Sequence, residues 1–219
     1  MIKNKRIALI YRMAAMLAAI AGVLELLSVF DGKFSIGTLY YYTTLSNILV
    51  IVLFGMLIAR TISGIRKGDK ENACYYPRVS MICTIDILLT FGVFWVLLVP
   101  YMNGSMKLWT FGNLSVHAIT PLLCLLDYIL FTEPHRLKYR DIYYVAVFPI
   151  FYVIFSSIAG LAGHVYSISS IDGKPVRFPY FFFDFDRIGI VALAYIAGLL
   201  VVFFIIGHIF YFIDKKARK

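Results

Sequence analysis

The chain of 219 residues is 61% hydrophobic, 17% aromatic and only 15% charged, with a mean hydropathy of +0.84. A soluble domain is roughly half apolar and about a quarter charged, so this composition excludes one. The net charge of +9 suits a nucleic-acid binder by its sign, but the placement of the charges along the chain argues for a membrane protein with no nucleic-acid partner.

A helix needs about 20 mostly apolar residues to cross a hydrocarbon core of ~30 Å. Six stretches qualify, at approximately 7–30, 41–62, 79–101, 112–131, 142–164 and 188–213, joined by short links. The expected fold is all-α: one polytopic domain, residues 1–219, with six transmembrane helices. With the N-terminus on the cytoplasmic side, sixteen of the 21 Lys and Arg fall inside, Arg12, Lys70, Arg218 and Lys219 among them. Lys33, Lys107, Lys174, Arg177 and Arg187 fall outside. That asymmetry follows the positive-inside rule, places both termini in the cytoplasm, and brings the basic side against anionic lipid. The first segment has the basic start of a signal peptide, but removing it leaves five spans and weakens the charge pattern, so it is read as a helix.

The first helix carries Glu25 near its outer end. The link Asp31-Gly32-Lys33 leads to Tyr40, Tyr41 and Tyr42, an interfacial aromatic girdle opening the second helix. A polar inner loop, Ser63 to Pro77, precedes the third helix, which holds Asp86 in its inner half. The fourth opens near Trp109 and Phe111, carries His117 and ends past Asp127. Glu133-Pro134-His135-Arg136 is a proline-punctuated turn into the fifth. The fifth holds Pro149, with His164 at its outer end. The long outer segment Val165–Arg187 follows, and its run Phe178–Asp186 is too apolar to be freely solvated: it forms an interfacial belt or a lid. The sixth has His208 near its inner end. Cys74, Cys83 and Cys124 lack metal-ligand spacing and read as small hydrophobes, and no metal or cofactor is expected. Asn103-Gly104-Ser105 and Asn113-Leu114-Ser115 match the glycosylation pattern.

Two polar islands interrupt the apolar runs: Thr43-Thr44-Leu45-Ser46-Asn47 and His117-Ala118-Ile119-Thr120-Pro121. At 1.5 Å per residue, Thr44 and His117 lie roughly 6 and 9 Å into the second and fourth helices, depths that meet if those helices are neighbours. Thr44 and Asn47 share a face, as do His117 and Thr120. Pro121 has no N–H for the His117 carbonyl and permits a kink there. A threonine hydroxyl needs a base to attack an acyl carbon, and His117 is placed to serve Thr44. Asn47, Ser46 or Thr120 would then donate to the oxyanion. The plainer alternative is that these hydroxyls bond their own helices and that His117 is a packing residue.

Both motifs, with Asp127, resemble those of a bacterial membrane family called Pr6Pr, similar in turn to the androgen-induced membrane hydrolases that cleave fatty acid esters of hydroxy fatty acids. The resemblance implies six helices, a threonine nucleophile at Thr44, a histidine base at His117, a lipid-like ester as substrate and residence in the bacterial cytoplasmic membrane. A one-residue shift would choose Thr43 instead. Glu25 is at a depth to orient the imidazole, and Asp86 and Asp127 are placed to share a proton or to meet Tyr and Thr hydroxyls. His164 and Arg187 could receive a substrate carboxylate or contact headgroups. The rival reading is a small proton-coupled transporter or lipid-binding protein using Glu25, Asp86 and Asp127.

Overall fold

Small residues on the first helix set how tightly the bundle packs. Ala8, Ala15, Ala19 and Gly22, with Arg12 the one large residue among them, recur at intervals of four and three, which places them on one buried stripe. Between lipid-facing helices there is no hydrophobic drive to associate, so close backbone approach supplies the attraction. At Gly22 a Cβ would stand 2.3 Å from Ser115 Oγ, and that hydroxyl donates to the Ala18 carbonyl at 3.0 Å. The opposite face, including Ile10 and Leu17, is exposed and apolar, as a lipid-facing surface is.

In the computed structural model, which describes residues 1–69, 72–101, 108–169 and 172–216, six helices are long and apolar enough to cross a membrane. They are α1 (Lys5–Leu26), α2 (Tyr42–Arg66), α3 (Pro77–Tyr101), α4 (Phe111–Phe131), α5 (Tyr139–Leu161) and α6 (Val191–Lys216). The fold is all-α apart from an antiparallel pair of two-residue strands, β1 (Ser167–Ile168) and β2 (Pro175–Val176), in the link between α5 and α6. Lys70, Lys107, Arg218, Lys219 and the Asn103-Gly104-Ser105 pattern lie outside the described residues. The other pattern's Asn113 sits inside α4 and donates to the Leu108 carbonyl at 2.9 Å.

Three helix ends differ from the hydropathy pattern, each for a local reason. Ser28 turns left-handed (φ 59°), so α1 stops at Leu26 and two short 3₁₀ turns, Val29–Asp31 and Ile36–Tyr40, lead to α2. Pro149 has no N–H to donate and fits without loss in a first helical turn, and regular α-helix in α5 starts at Val147 after Tyr139–Ala146 winds as 3₁₀. Gly189, at φ 54° and ψ −134°, holds a conformation nearly closed to other residues and delays α6 to Val191.

Helices α1 to α4 pack closely, while α6 is peripheral, burying only Ala192, Phe203, Gly207 and Asp214. Its Lys-bearing end is tied down. The Asp214 carboxylate accepts from the Arg136 and Leu137 amides at 3.1 and 3.2 Å, and His208 meets the Tyr139 hydroxyl at 3.3 Å. α6 packs on the Tyr139–Ala146 part of α5, and farther along, residues of α5, α6 and the link between them surround a cavity.

Arg12 corrects the charge reading. It is 2% exposed, not a lipid-headgroup contact, and its guanidinium holds Asp127 at 2.8 Å, Thr61 at 3.1 Å and the Ala73 carbonyl at 3.1 Å. Asp127 therefore does not share a proton with Asp86, since an arginine in reach is the stronger partner for a buried carboxylate.

Candidate functional site

Two widened helical turns meet at the centre of the site. Pro100 and Pro121 each remove an amide donor, and each is preceded by a π-helical turn, Phe94–Leu98 in α3 and Ser115–Ile119 in α4. The Phe94 ring stacks on the His117 imidazole with centroids 3.6 Å apart and planes 15° from parallel. Trp95 Nε1 donates to the His117 carbonyl at 3.0 Å, taking the place of the Pro121 N–H.

The imidazole has an assignable tautomer. His117 Nδ1 lies 3.1 Å from the Asn113 carbonyl oxygen, which only accepts, so Nδ1 carries the proton. Nε2 is then a free lone pair, and it faces Thr43 Oγ1 at 3.3 Å. Glu25 does not orient this ring, as the sequence allowed. Its side chain lies over Gly112, where an added Cβ would come within 2.9 Å of the carboxyl carbon, and the Asn113 carbonyl holds Nδ1 instead.

The partner of His117 is thus Thr43, not Thr44. Neighbouring helical residues point about 100° apart, and Thr44 is turned into the packed interior. It is fully buried, and its Oγ1 bonds to no described residue. Ser46 and Asn47 are likewise not oxyanion donors. Both protons of Asn47 Nδ2 are committed, to the Thr43 carbonyl at 2.8 Å and the Val116 carbonyl at 3.1 Å. Ser46 Oγ lies 3.1 Å from the Thr43 carbonyl and 2.8 Å from Thr90 Oγ1. Their work is to fix the Thr43 backbone and to join α2 to α3 and α4. Thr120 is fully buried away from the cavity, and its Oγ1 has no described partner. Asp86 meets the Tyr42 hydroxyl at 3.4 Å.

Thr43 forms the polar end of a cavity of about 260 Å³. The walls are apolar: Leu89, Val93, Phe94 and Leu98 from α3, Val153 and Ile154 from α5, Ile196, Leu199 and Phe203 from α6. Ile150 and Ile154, 45% and 54% exposed, place one wall at the lipid-facing surface. Glu25, Asp86 and Asp127 do not line it. Tyr180, Phe182 and Phe183 of the aromatic run in the α5–α6 link close the cavity, Phe182 and Phe183 being buried and Tyr180 reaching α2. His164 stacks on Tyr40 at 3.9 Å, and Arg187 pairs with Asp172 and Asp184, each at 3.2 Å, so both hold the link together.

Tyr180 is the residue that the sequence did not single out. The first amides of a helix have no partner within it, and no side chain of the preceding residue caps α2. The Tyr42 amide donates to the Tyr180 hydroxyl at 3.1 Å, and burial pushes that phenol up to about 12, so it remains protonated near neutrality. Among the described residues no three His, Cys, Asp or Glu converge in a metal-binding group. No family model, curated protein or solved structure matches the chain.

Proposed function

We propose that the protein is an intramembrane hydrolase of lipid-like esters, with Thr43 as nucleophile and His117 as general base. One observation carries the reading: Thr43 Oγ1 faces the unprotonated Nε2 of a ring whose other nitrogen is committed to a main-chain carbonyl, at the wall of an apolar cavity. A hydroxyl in such a pair loses its proton to the imidazole as it attacks, which is how weak oxygen nucleophiles are activated. His117 Nε2–H then protonates the departing alcohol, leaving an acyl-threonine. Water, deprotonated by the same nitrogen, releases the acid and restores Thr43.

The cavity suits an uncharged hydrocarbon chain, since no charged side chain lines it. An acyl chain enters between α5 and α6 with its ester toward Thr43. On the positive-inside expectation that the basic helix ends face the cytoplasm, this reading has the reaction in the outer half of the bilayer. Fatty acid esters of hydroxy fatty acids, the substrates implied by the resemblance to Pr6Pr and the androgen-induced hydrolases, carry such a chain, and the same resemblance implies residence in a bacterial cytoplasmic membrane.

Labelling purified protein in detergent with a long-chain alkyl fluorophosphonate, followed by peptide mapping, tests the reading. An adduct on Thr43 that Thr44→Ala retains and His117→Ala abolishes supports it. Well-folded protein with no adduct, or with one on Thr44, overturns it.

A further inference from the structure

The charge that forms when Thr43 attacks a carbonyl needs a hydrogen-bond donor inside the cavity. Ser46 and Asn47 are committed elsewhere, Thr120 does not line it, and Thr90, which does, is engaged by Ser46 Oγ at 2.8 Å and the Asp86 carbonyl at 3.5 Å. Of the cavity's tyrosines, Tyr42 directs its hydroxyl to Asp86 and Tyr152 donates to the Tyr40 carbonyl at 3.0 Å. Tyr180 remains. Its oxygen is taken by the Tyr42 amide, its hydroxyl lies beside the Thr43 side chain, and its ring is stacked on Phe182 at 5.2 Å, only 2° from parallel. An oxygen that accepts from a main-chain amide directs its own proton elsewhere and donates it more strongly. That amide belongs to the first turn of α2, so the partial positive charge of a 25-residue helix sits behind the hydroxyl.

We propose that Tyr180 is a further catalytic residue, donating its phenolic O–H to the oxyanion of the tetrahedral intermediate on Thr43. The proposal rests on the hydrolase reading above. In the step, the Thr43 Oγ–C bond forms, the carbonyl π pair moves to oxygen, and the Thr43 proton passes to His117 Nε2. Tyr180 keeps its proton and shares it with the new oxyanion. When the intermediate collapses, the carbonyl re-forms, the ester C–O bond breaks, and the alcohol leaves with the proton from His117. The α5–α6 link is therefore part of the machinery: it brings a donor beside Thr43, where the spans' own lining hydroxyls are engaged by other partners.

Tyr180→Phe keeps the ring and its stack while deleting the donor. Three measurements on wild type and variant decide the matter: kcat on a long-chain p-nitrophenyl ester, the Ki of an alkyl trifluoromethyl ketone, whose hydrate or threonine adduct is tetrahedral, and the Ki of the matching alkyl ether, which stays in the ground state. The expected result is a 10²- to 10³-fold loss in kcat, the range for removing one oxyanion donor, with ketone affinity falling by a similar factor. Ether affinity should change less than threefold, which also reports that the cavity is intact. If kcat falls while ketone and ether weaken equally, Tyr180 is structural and the proposal fails. It fails also if kcat is unchanged, and in both cases the hydrolase reading stands. A wild-type protein that binds the ether but neither hydrolyses the ester nor is labelled on Thr43 overturns the hydrolase reading and this proposal with it.

Discussion

Trp95 donates its indole N–H to the main-chain carbonyl of His117 at 3.0 Å, doing for that carbonyl what Pro121 cannot. A proline in α4 and an indole in α3 thus jointly hold the histidine in a widened turn. Trp95→Phe leaves a partly buried carbonyl without its donor, at a cost of about 1–3 kcal/mol, and should lower the thermal midpoint in detergent. Pro121→Ala restores an N–H that competes with Trp95 and favours a regular α turn. The expected outcome is at least tenfold slower fluorophosphonate labelling of Thr43, with the gained backbone hydrogen bond offsetting part of the packing lost at buried Pro121 in the thermal midpoint.

Arg12 and Asp127 form a buried pair joining α1 to α4, and the same guanidinium reaches Thr61 on α2 and the loop carbonyl of Ala73. Removing one partner leaves a lone charge in a dry interior. Arg12→Ala or Asp127→Ala should therefore cost about 3–5 kcal/mol. The double variant Arg12→Met/Asp127→Leu should recover most of the loss, because the desolvation penalty disappears with the pair. Thermal midpoints of the four proteins in one detergent check this. Full additivity of the two single losses would count against the pair.

The link between α5 and α6 carries a pH dependence. Asp186 is held below the ordinary carboxylate range, chiefly by its hydrogen bonds from Arg177 at 2.5 and 2.8 Å, and this tether lies six residues beyond Tyr180. A lowered folded-state value means that the tether contributes fully above the ordinary carboxylate range and is lost as acid protonates Asp186 through the lowered value. Limited proteolysis of the link should accelerate at acid pH in the wild type. Asp186→Asn should show fast cleavage already at neutral pH and no further acid step from this group.

Six spans and their order are legible in the sequence because hydropathy over about 20 residues is a long signal that single substitutions do not erase. That the Thr43–Asn47 and His117–Pro121 segments lie at one depth is legible too, because depth along a helix is arithmetic, but which helices are neighbours is not. Which of two adjacent threonines meets the ring is not, since one residue of helical rotation separates a site residue from a buried one. Arg12 reads as an orientation signal because its partners lie on other elements, 49 to 115 residues away. Tyr180 hides within an aromatic run that composition alone marks as interfacial. Its clue is that α2 opens without a capping side chain, a lack that becomes informative only once the chain that fills it is in place.

The cavity gives the last test. Leu199 lines it from α6. Leu199→Trp replaces an aliphatic wall with an indole in a space of about 260 Å³, so chains that run past that point are excluded. A short acyl group needs only the end beside Thr43 and Tyr180. Across a series of p-nitrophenyl esters, the variant should therefore lose tenfold or more in kcat/KM for long chains while the acetate and butyrate esters change less than twofold. A uniform loss at every length would mean that the indole has displaced α6 itself. An unchanged long-chain rate would mean that acyl chains take another path through the bundle.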